Sequence, residues 1–238
     1  MLTLIYQFDR TIVTFLNQFV GRSGLFDRAA DAMVSTYLVS SMLLLACICY
    51  LWFRETSIRD TKDRPMILRE FVGVCLAGPL SRAMQLLLKF HPRPFHDSSL
   101  HFRLPISVEP NEFNHWSSFP SDHAAVYFAL AALIMFHSRR LGVLAWIVSA
   151  LAVFPRVYLG YHWPSDIVAG AVVGVFCVWV CRKVIPDSAV TRTLKWEQTV
   201  PYAFYTIGFL LFYQVGTLFE EVRRLGSGLT QALGLHRA

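Results

Sequence analysis

The chain has 238 residues, 55% of them hydrophobic and 16% charged, and its mean hydropathy is +0.44. That balance excludes an ordinary soluble domain or a disordered segment and points to a chain solvated by lipid. The net charge of +6 is spread over short loops and motifs, with no continuous basic stripe, which excludes a nucleic-acid-binding face.

In residues 1–21, Ile5, Phe8, Ile12, Phe15 and Phe19 recur every three or four positions. Gln7, Arg10, Thr11, Thr14, Asn17 and Gln18 take the other face. This spacing predicts an amphipathic helix lying in the membrane interface, with an embedded helix packed on the bundle as the alternative. Asp9 and Arg10 interrupt the apolar region and no basic leader comes first, so the segment does not read as a signal peptide. Residues 32–53 carry no charge. At about 1.5 Å per residue they would make a helix roughly 33 Å long, enough to cross a hydrocarbon core of about 30 Å.

Four more apolar stretches follow at about 66–88, 122–137, 141–159 and 165–185, and residues 201–219 form a last uncharged run. The expectation is an all-α, integral membrane bundle of six transmembrane helices with the amphipathic N-terminal helix beside it, in one domain over 1–238. Arg82 lies inside one span and Arg156 near the end of another. An ionisable group at such depth usually faces the bundle interior and has a task, the alternative being a snorkelling side chain or a structural salt bridge. All five cysteines (Cys47, Cys49, Cys75, Cys177, Cys181) fall within spans and read as small core hydrophobes. The tail, 220–238, places Leu225, Leu229 and Leu233 at helical spacing, which suits a surface helix or a partner contact.

With the spans so drawn, Arg54, Arg59, Lys62, Arg64, Arg139, Arg140, Arg182, Lys183, Arg192 and Lys195 share one side, the cytoplasmic candidate by the positive-inside rule. The loop 89–120, the turn 160–164 and both termini then face outward, which predicts an inner (plasma) membrane protein with its working face periplasmic or extracellular.

That outer face collects three islands: KFHPRPF (89–95), FPSDH (119–123) and RVYLGYHWPSD (156–166). Arginines offer a fixed fork of donors for phosphate oxygens, and a helix N-terminus adds backbone N–H groups and a favourable dipole. A nucleophilic histidine needs one ring nitrogen free and the other held by an acceptor, and His162 with Asp166 fits that need. Pro164 suits the first helical position, which puts Asp166 near the third, able to reach back toward the residues before the helix. His123, at the start of another helix, would be the general acid for the leaving group. Ser121 or Asp122 could equally be only an N-cap. His91, His96, His101 and His115 match no strong ligand motif, so no metal and no other cofactor is expected. Trp116, Tyr158, Tyr161 and Trp163 read as interfacial anchors.

The ordered islands resemble the three signature motifs of the type 2 phosphatidic acid phosphatase superfamily, membrane lipid phosphatases that share an active-site plan with vanadium haloperoxidases. The third motif matches in Arg156, His162 and Asp166, although Pro155 stands where the family often has Ser. The second is Pro120-Ser121-Asp122-His123, with Asp122 in place of the commoner Gly, a variant similar to the bacterial undecaprenyl-pyrophosphate phosphatase branch. The first ends in Arg93-Pro94, but the family's Lys, seven residues before the Arg, falls at Leu86, and Lys89 is the expected substitute.

The resemblance implies that His162 attacks phosphorus, that Asp166 orients it and that His123 protonates the departing oxygen. It implies that Lys89, Arg93, Ser121 and Arg156, with backbone groups near Pro120 and Asp122, hold the phosphate. The implied substrate is undecaprenyl pyrophosphate or another phospholipid, met in the bilayer; a homodimer is compatible with it. The alternatives are a phosphatidylglycerophosphate or phosphatidate phosphatase, a lipid phosphotransferase, and a lipid-binding or transport scaffold without turnover.

Overall fold

A computed structural model of the chain describes residues 2–36, 41–54, 63–105, 108–111, 113–114 and 116–220. The expected tail helix with Leu225, Leu229 and Leu233 lies outside the described residues, as do His115, Arg59 and Lys62.

The described residues form helices and loops without a strand: α1 (Leu2–Asn17), α2 (Gly24–Ser35), α3 (Leu43–Phe53), α4 (Asp63–Leu87), α5 (Asp122–His137), α6 (Arg139–Tyr158), α7 (Pro164–Val184), α8 (Asp187–Thr199) and α9 (Pro201–Gly216). Two single turns of 3-10 helix, at Pro94–His96 and Ser98–Leu100, punctuate the long loop after α4.

The middle of the bundle is α5. Every residue from Ala124 to Ile134 is buried, so this helix is apolar all round because α4, α6 and α7 enclose it. Close approach is made possible by two glycines one turn apart on α7. A Cβ on Gly170 would lie 2.2 Å from the carbonyl oxygen of Ser121, and one on Gly174 would lie 2.0 Å from that of Ala125. Such small-residue pairs let helix backbones meet where the solvent is lipid and gives no hydrophobic push between helices.

The outward faces are as apolar as the interior. On α7, Val168, Val172, Phe176 and Trp179 recur at helical spacing and are each at least half exposed, and Leu144, Ile147 and Leu151 do the same on α6. A patch of this extent marks a surface that meets lipid. Both α6 and α7 are long and apolar enough to cross a bilayer. By contrast α3, α5 and α9 have 11, 16 and 16 residues, and α4, with 25, carries several charges.

Three sequence expectations need correction. Residues 32–53 are not one helix: α2 ends at Ser35, and Thr36 has an extended backbone (φ −110°, ψ 111°). The segment before it belongs to the site end of the bundle, where Asp27 accepts hydrogen bonds from the Gly21 N–H and the Tyr158 hydroxyl. The charged stretch between the spans drawn at 165–185 and 201–219 is not only a connection: it contains α8, which buries Val190. Tyr158, Tyr161 and Trp163 are core residues rather than interfacial anchors, because their polar ends or neighbouring carbonyls are engaged inside the protein.

At the end of the bundle remote from the three islands, an ionic knot around the buried Glu70 and His137 joins four elements. Glu70 pairs with Arg182 and lies 2.7 Å from His137 Nε2, while Asp63 pairs with Arg54 at 3.2 Å. Arg54, Arg64, Arg139, Arg140 and Arg182 therefore share one end, as the charge pattern predicts. An apolar cavity of about 400 Å³ opens there between α3, α4 and α9, lined by residues such as Trp52, Phe71 and Phe212 and by no candidate site residue.

Candidate active site

The site end brings together the C-terminal end of α4, the N-termini of α5 and α7 and the last turn of α6. Ser121 is the N-cap of α5: its Oγ accepts from the Ala124 N–H at 3.4 Å, and its own N–H donates to the Asp166 carbonyl at 3.1 Å. The two helix N-termini are thereby tied together, with their free N–H groups and positive dipole ends at one place. Pro164 occupies the first turn of α7, and Asp166 Oδ2 accepts from the Trp163 N–H at 2.8 Å. Gly160, with φ +78°, takes the left-handed conformation that turns the chain from α6 back toward His162.

His162 is buried, and its Nδ1 lies 3.0 Å from the Ser118 carbonyl oxygen. A carbonyl can only accept, so Nδ1 carries the proton and Nε2 keeps its lone pair. Asp166 Oδ2 is 3.6 Å from Nδ1, beyond hydrogen bonding, and acts on the ring through its charge. Burial is the largest influence on His162 and lowers its pKa from 6.5; Asp166 pulls it up and Arg93 pushes it down. The imidazole is therefore neutral at pH 7, the form a nucleophile requires.

His123 stands in the same electrostatic neighbourhood as His162 and Arg156. Its Nδ1 lies 2.7 Å from Asp122 Oδ1, which also accepts the His123 backbone N–H at 2.9 Å. Asp122 thus orients the second imidazole and leaves Nε2 as its working end.

Two guanidiniums complete the cluster. Arg93 Nη1 donates to the Tyr161 carbonyl at 2.6 Å and its plane lies 4.5 Å from the Phe113 ring centroid. Its Nε is buried without a hydrogen-bond partner among the described residues, a donor suited to an anion. Burial pushes the Arg93 pKa down to about 10, against the upward pull of Asp122 and Asp166, so it stays charged at neutral pH. Arg156, also buried, donates to the Val34 carbonyl at 3.5 Å. Pro120 is buried, and its carbonyl accepts from Ser81 Oγ at 3.1 Å and Gln85 Nε2 at 2.7 Å.

The structure gathers His162, Asp166, His123, Asp122, Ser121, Pro120, Arg93 and Arg156. Lys89 is exposed just past α4 and makes no hydrogen bond or ion pair among the described residues. Sequence reasoning passed over two contributors. His91 places Nδ1 2.8 Å from Ser118 Oγ and 3.5 Å from Asp166 Oδ1, so Asp166 stands between two imidazoles. Asp9, on α1, accepts from the Ser165 N–H at 2.9 Å and the Ser165 hydroxyl at 2.5 Å. Its signal was the acid interrupting an apolar helix: α1 turns Asp9 and Val13 inward, while Phe8 and Phe15 remain exposed.

Comparison with known proteins shows the family of the chain. The PAP2 superfamily model matches residues 66–189, just over half the chain. The undecaprenyl-diphosphatase BcrC of Bacillus subtilis is 29% identical over 117 residues, 49% of this chain and 56% of that protein. The bacitracin transport permease protein BcrC of Bacillus licheniformis is 32% identical over 136 residues, 52% of this chain and 60% of that protein. The matches thus span under two thirds of either relative. The crystal structure of a transmembrane PAP2-type phosphatidylglycerolphosphate phosphatase from Bacillus subtilis aligns with a TM-score of 0.49 at 21% identity, covering 77% of this chain and 89% of that one.

Proposed function

Because the chain belongs to the PAP2 superfamily, a phosphatase family, we propose that it hydrolyses undecaprenyl pyrophosphate to the monophosphate and inorganic phosphate, which returns the lipid carrier for further cell-wall synthesis. Its apolar helices and outward apolar faces fit a membrane protein. In this reading α3, α4, α5, α6, α7 and α9 are the six spans and α1 lies at the interface. The site end faces the periplasm or cell exterior, opposite the basic end.

The observation that carries the reading is the 3.0 Å contact of His162 Nδ1 with the Ser118 carbonyl oxygen, which assigns the proton to Nδ1 and leaves Nε2 with its lone pair near the charge of Arg93. The Nε2 lone pair attacks the terminal phosphorus, a P–N bond forms, and the bond from phosphorus to the bridging oxygen breaks. His123, protonated on Nε2 as well as Nδ1 beside Asp122 when the anionic substrate is bound, gives its Nε2 proton to that oxygen and is left neutral. Arg93, Arg156 and the N–H groups of α5 hold the equatorial oxygens, whose charge is redistributed in the transition state. Water then attacks the phosphorus while the neutral His123 takes a proton from it; the P–N bond breaks, inorganic phosphate leaves, His162 returns to its neutral form and His123 to its protonated one. No step requires a metal. The name undecaprenyl-diphosphatase borne by one relative supports the choice of lipid.

The test is phosphate release in detergent micelles with a chelator present, from undecaprenyl pyrophosphate and from phosphatidylglycerophosphate, by wild type and His162→Ala. Metal-independent release that favours the polyprenyl lipid and vanishes in His162→Ala is expected. Preference for the glycerolipid would move the enzyme to another pathway. Transport of lipid without phosphate release would replace the phosphatase reading altogether.

A further inference from the structure

A diphosphate differs from a phosphomonoester at this site in one respect: its leaving group is itself an anion. In-line displacement puts that second phosphate on the side of the reacting phosphorus opposite His162, next to His123. Ser81 and Gln85 of α4 both donate to the carbonyl of Pro120, three residues before His123, so this stretch of α4 flanks the leaving-group side.

Arg82 lies between them in sequence. Its Nη1 donates to Gln85 Oε1 at 2.5 Å, and its guanidinium stands 3.8 Å from the centroid of the Trp116 ring. Gln85 thus braces Arg82 with one end of its amide and grips Pro120 with the other. Arg82 is only partly buried, which leaves it approachable, and it is close enough to Arg93 to oppose that group's charge. Arg82 rests on Trp116 and Arg93 on Phe113, two rings whose centroids are 6.2 Å apart, and Arg156 also acts on Arg93 through its charge, so the three guanidiniums stand at one end of the bundle within electrostatic reach of Arg93. Among the described residues, Asp122 is engaged by His123 and Asp166 by the Trp163 N–H. Such a concentration of positive charge suits a ligand with more negative charge than one phosphate carries. Lys89, exposed beyond the end of α4, has no comparable bracing.

We propose that Arg82, held by Gln85 and Trp116, forms a second anion subsite that binds the leaving phosphate of a diphosphate substrate and makes the enzyme favour diphosphates over phosphomonoesters. The proposal rests on the phosphatase reading above. A phosphomonoester that reacts must place its sole phosphate beside His162, so its turnover does not use the subsite.

The experiment compares kcat/KM of wild type, Arg82→Gln and Arg82→Lys on undecaprenyl pyrophosphate and on phosphatidate. A charge-assisted contact of this kind corresponds to a loss of about 10- to 100-fold on the diphosphate in Arg82→Gln, with phosphatidate turnover within about threefold and partial recovery in Arg82→Lys. Retained phosphatidate turnover also shows that the variant folds. Equal losses on both substrates, or loss on neither, would overturn the subsite. A second arm uses His162→Ala, which holds substrate without turnover, and measures undecaprenyl pyrophosphate affinity with and without Arg82→Gln. A drop of about tenfold supports the subsite and an unchanged affinity overturns it, even if wild type released no phosphate and the phosphatase reading itself failed.

Discussion

The contact between α7 and the start of α5 turns a single methyl group into a test of the site. A Cβ on Gly170 would stand 2.2 Å from the Ser121 carbonyl oxygen and 3.0 Å from Ala124 Cβ, whereas ordinary contact begins near 3.4 Å. Both neighbours belong to the first turn of a buried helix and have no flexible end to swing aside. Gly170→Ala must therefore part the two helix N-termini by the difference between 3.4 and 2.2 Å, about 1.2 Å. That opening would stretch the 3.1 Å bond from the Ser121 N–H to the Asp166 carbonyl and separate His123, on α5, from His162, held before α7. A misplacement of about 1 Å among reacting groups corresponds to roughly 100-fold in rate, and overpacking of this kind destabilises by about 1–3 kcal/mol. The assay is kcat/KM for phosphate release together with thermal unfolding in detergent. Gly208→Ala is the control, since a Cβ there meets nothing within 4 Å. Gly170→Ala with wild-type turnover and stability would refute the reasoning that this close approach sets the site geometry.

Further predictions concern charge. The lowered pKa of His162 means that the acid limb, where this imidazole protonates and loses its nucleophilic lone pair, lies below pH 6.5; a pH profile of kcat/KM checks it. Asp9→Ala leaves the Ser165 N–H without its acceptor and should destabilise the protein by about 1–3 kcal/mol in a thermal unfolding measurement. Glu70→Ala strips a buried carboxylate from Arg182 and His137 and should reduce stability by about 3 kcal/mol, while the pH profile of the remaining activity keeps its shape. Vanadate, a mimic of five-coordinate phosphorus, should inhibit wild type in a phosphate-release assay.

The sequence made the site more legible than the frame around it. Residues 122–137 were readable as α5 because Ser121 caps it and His137 closes it, and Asp166 could be placed at the third position of α7 because Pro164 marks the first. Hydropathy misled at residues 32–53, where absence of charge concealed the end of α2 at Ser35 and the extended backbone of Thr36. It also concealed α8, whose charged surface covers only a narrow buried side. His91 escaped a catalytic reading because its link to Asp166 joins residues 75 positions apart, a separation that local pattern does not encode. Asp122 and Ser121 show why the capping and chemical readings need not compete: the serine accepts one of the helix's orphan N–H groups, and the next residue aligns an imidazole.

The central claim is covalent catalysis by His162, and the most direct measurement is rapid quenching of turnover with undecaprenyl pyrophosphate labelled in its terminal phosphate. The account predicts an alkali-stable, acid-labile phosphoenzyme whose label maps to the peptide containing His162 and is absent from His162→Ala. Full turnover by His162→Ala, or label located on another residue, would contradict it.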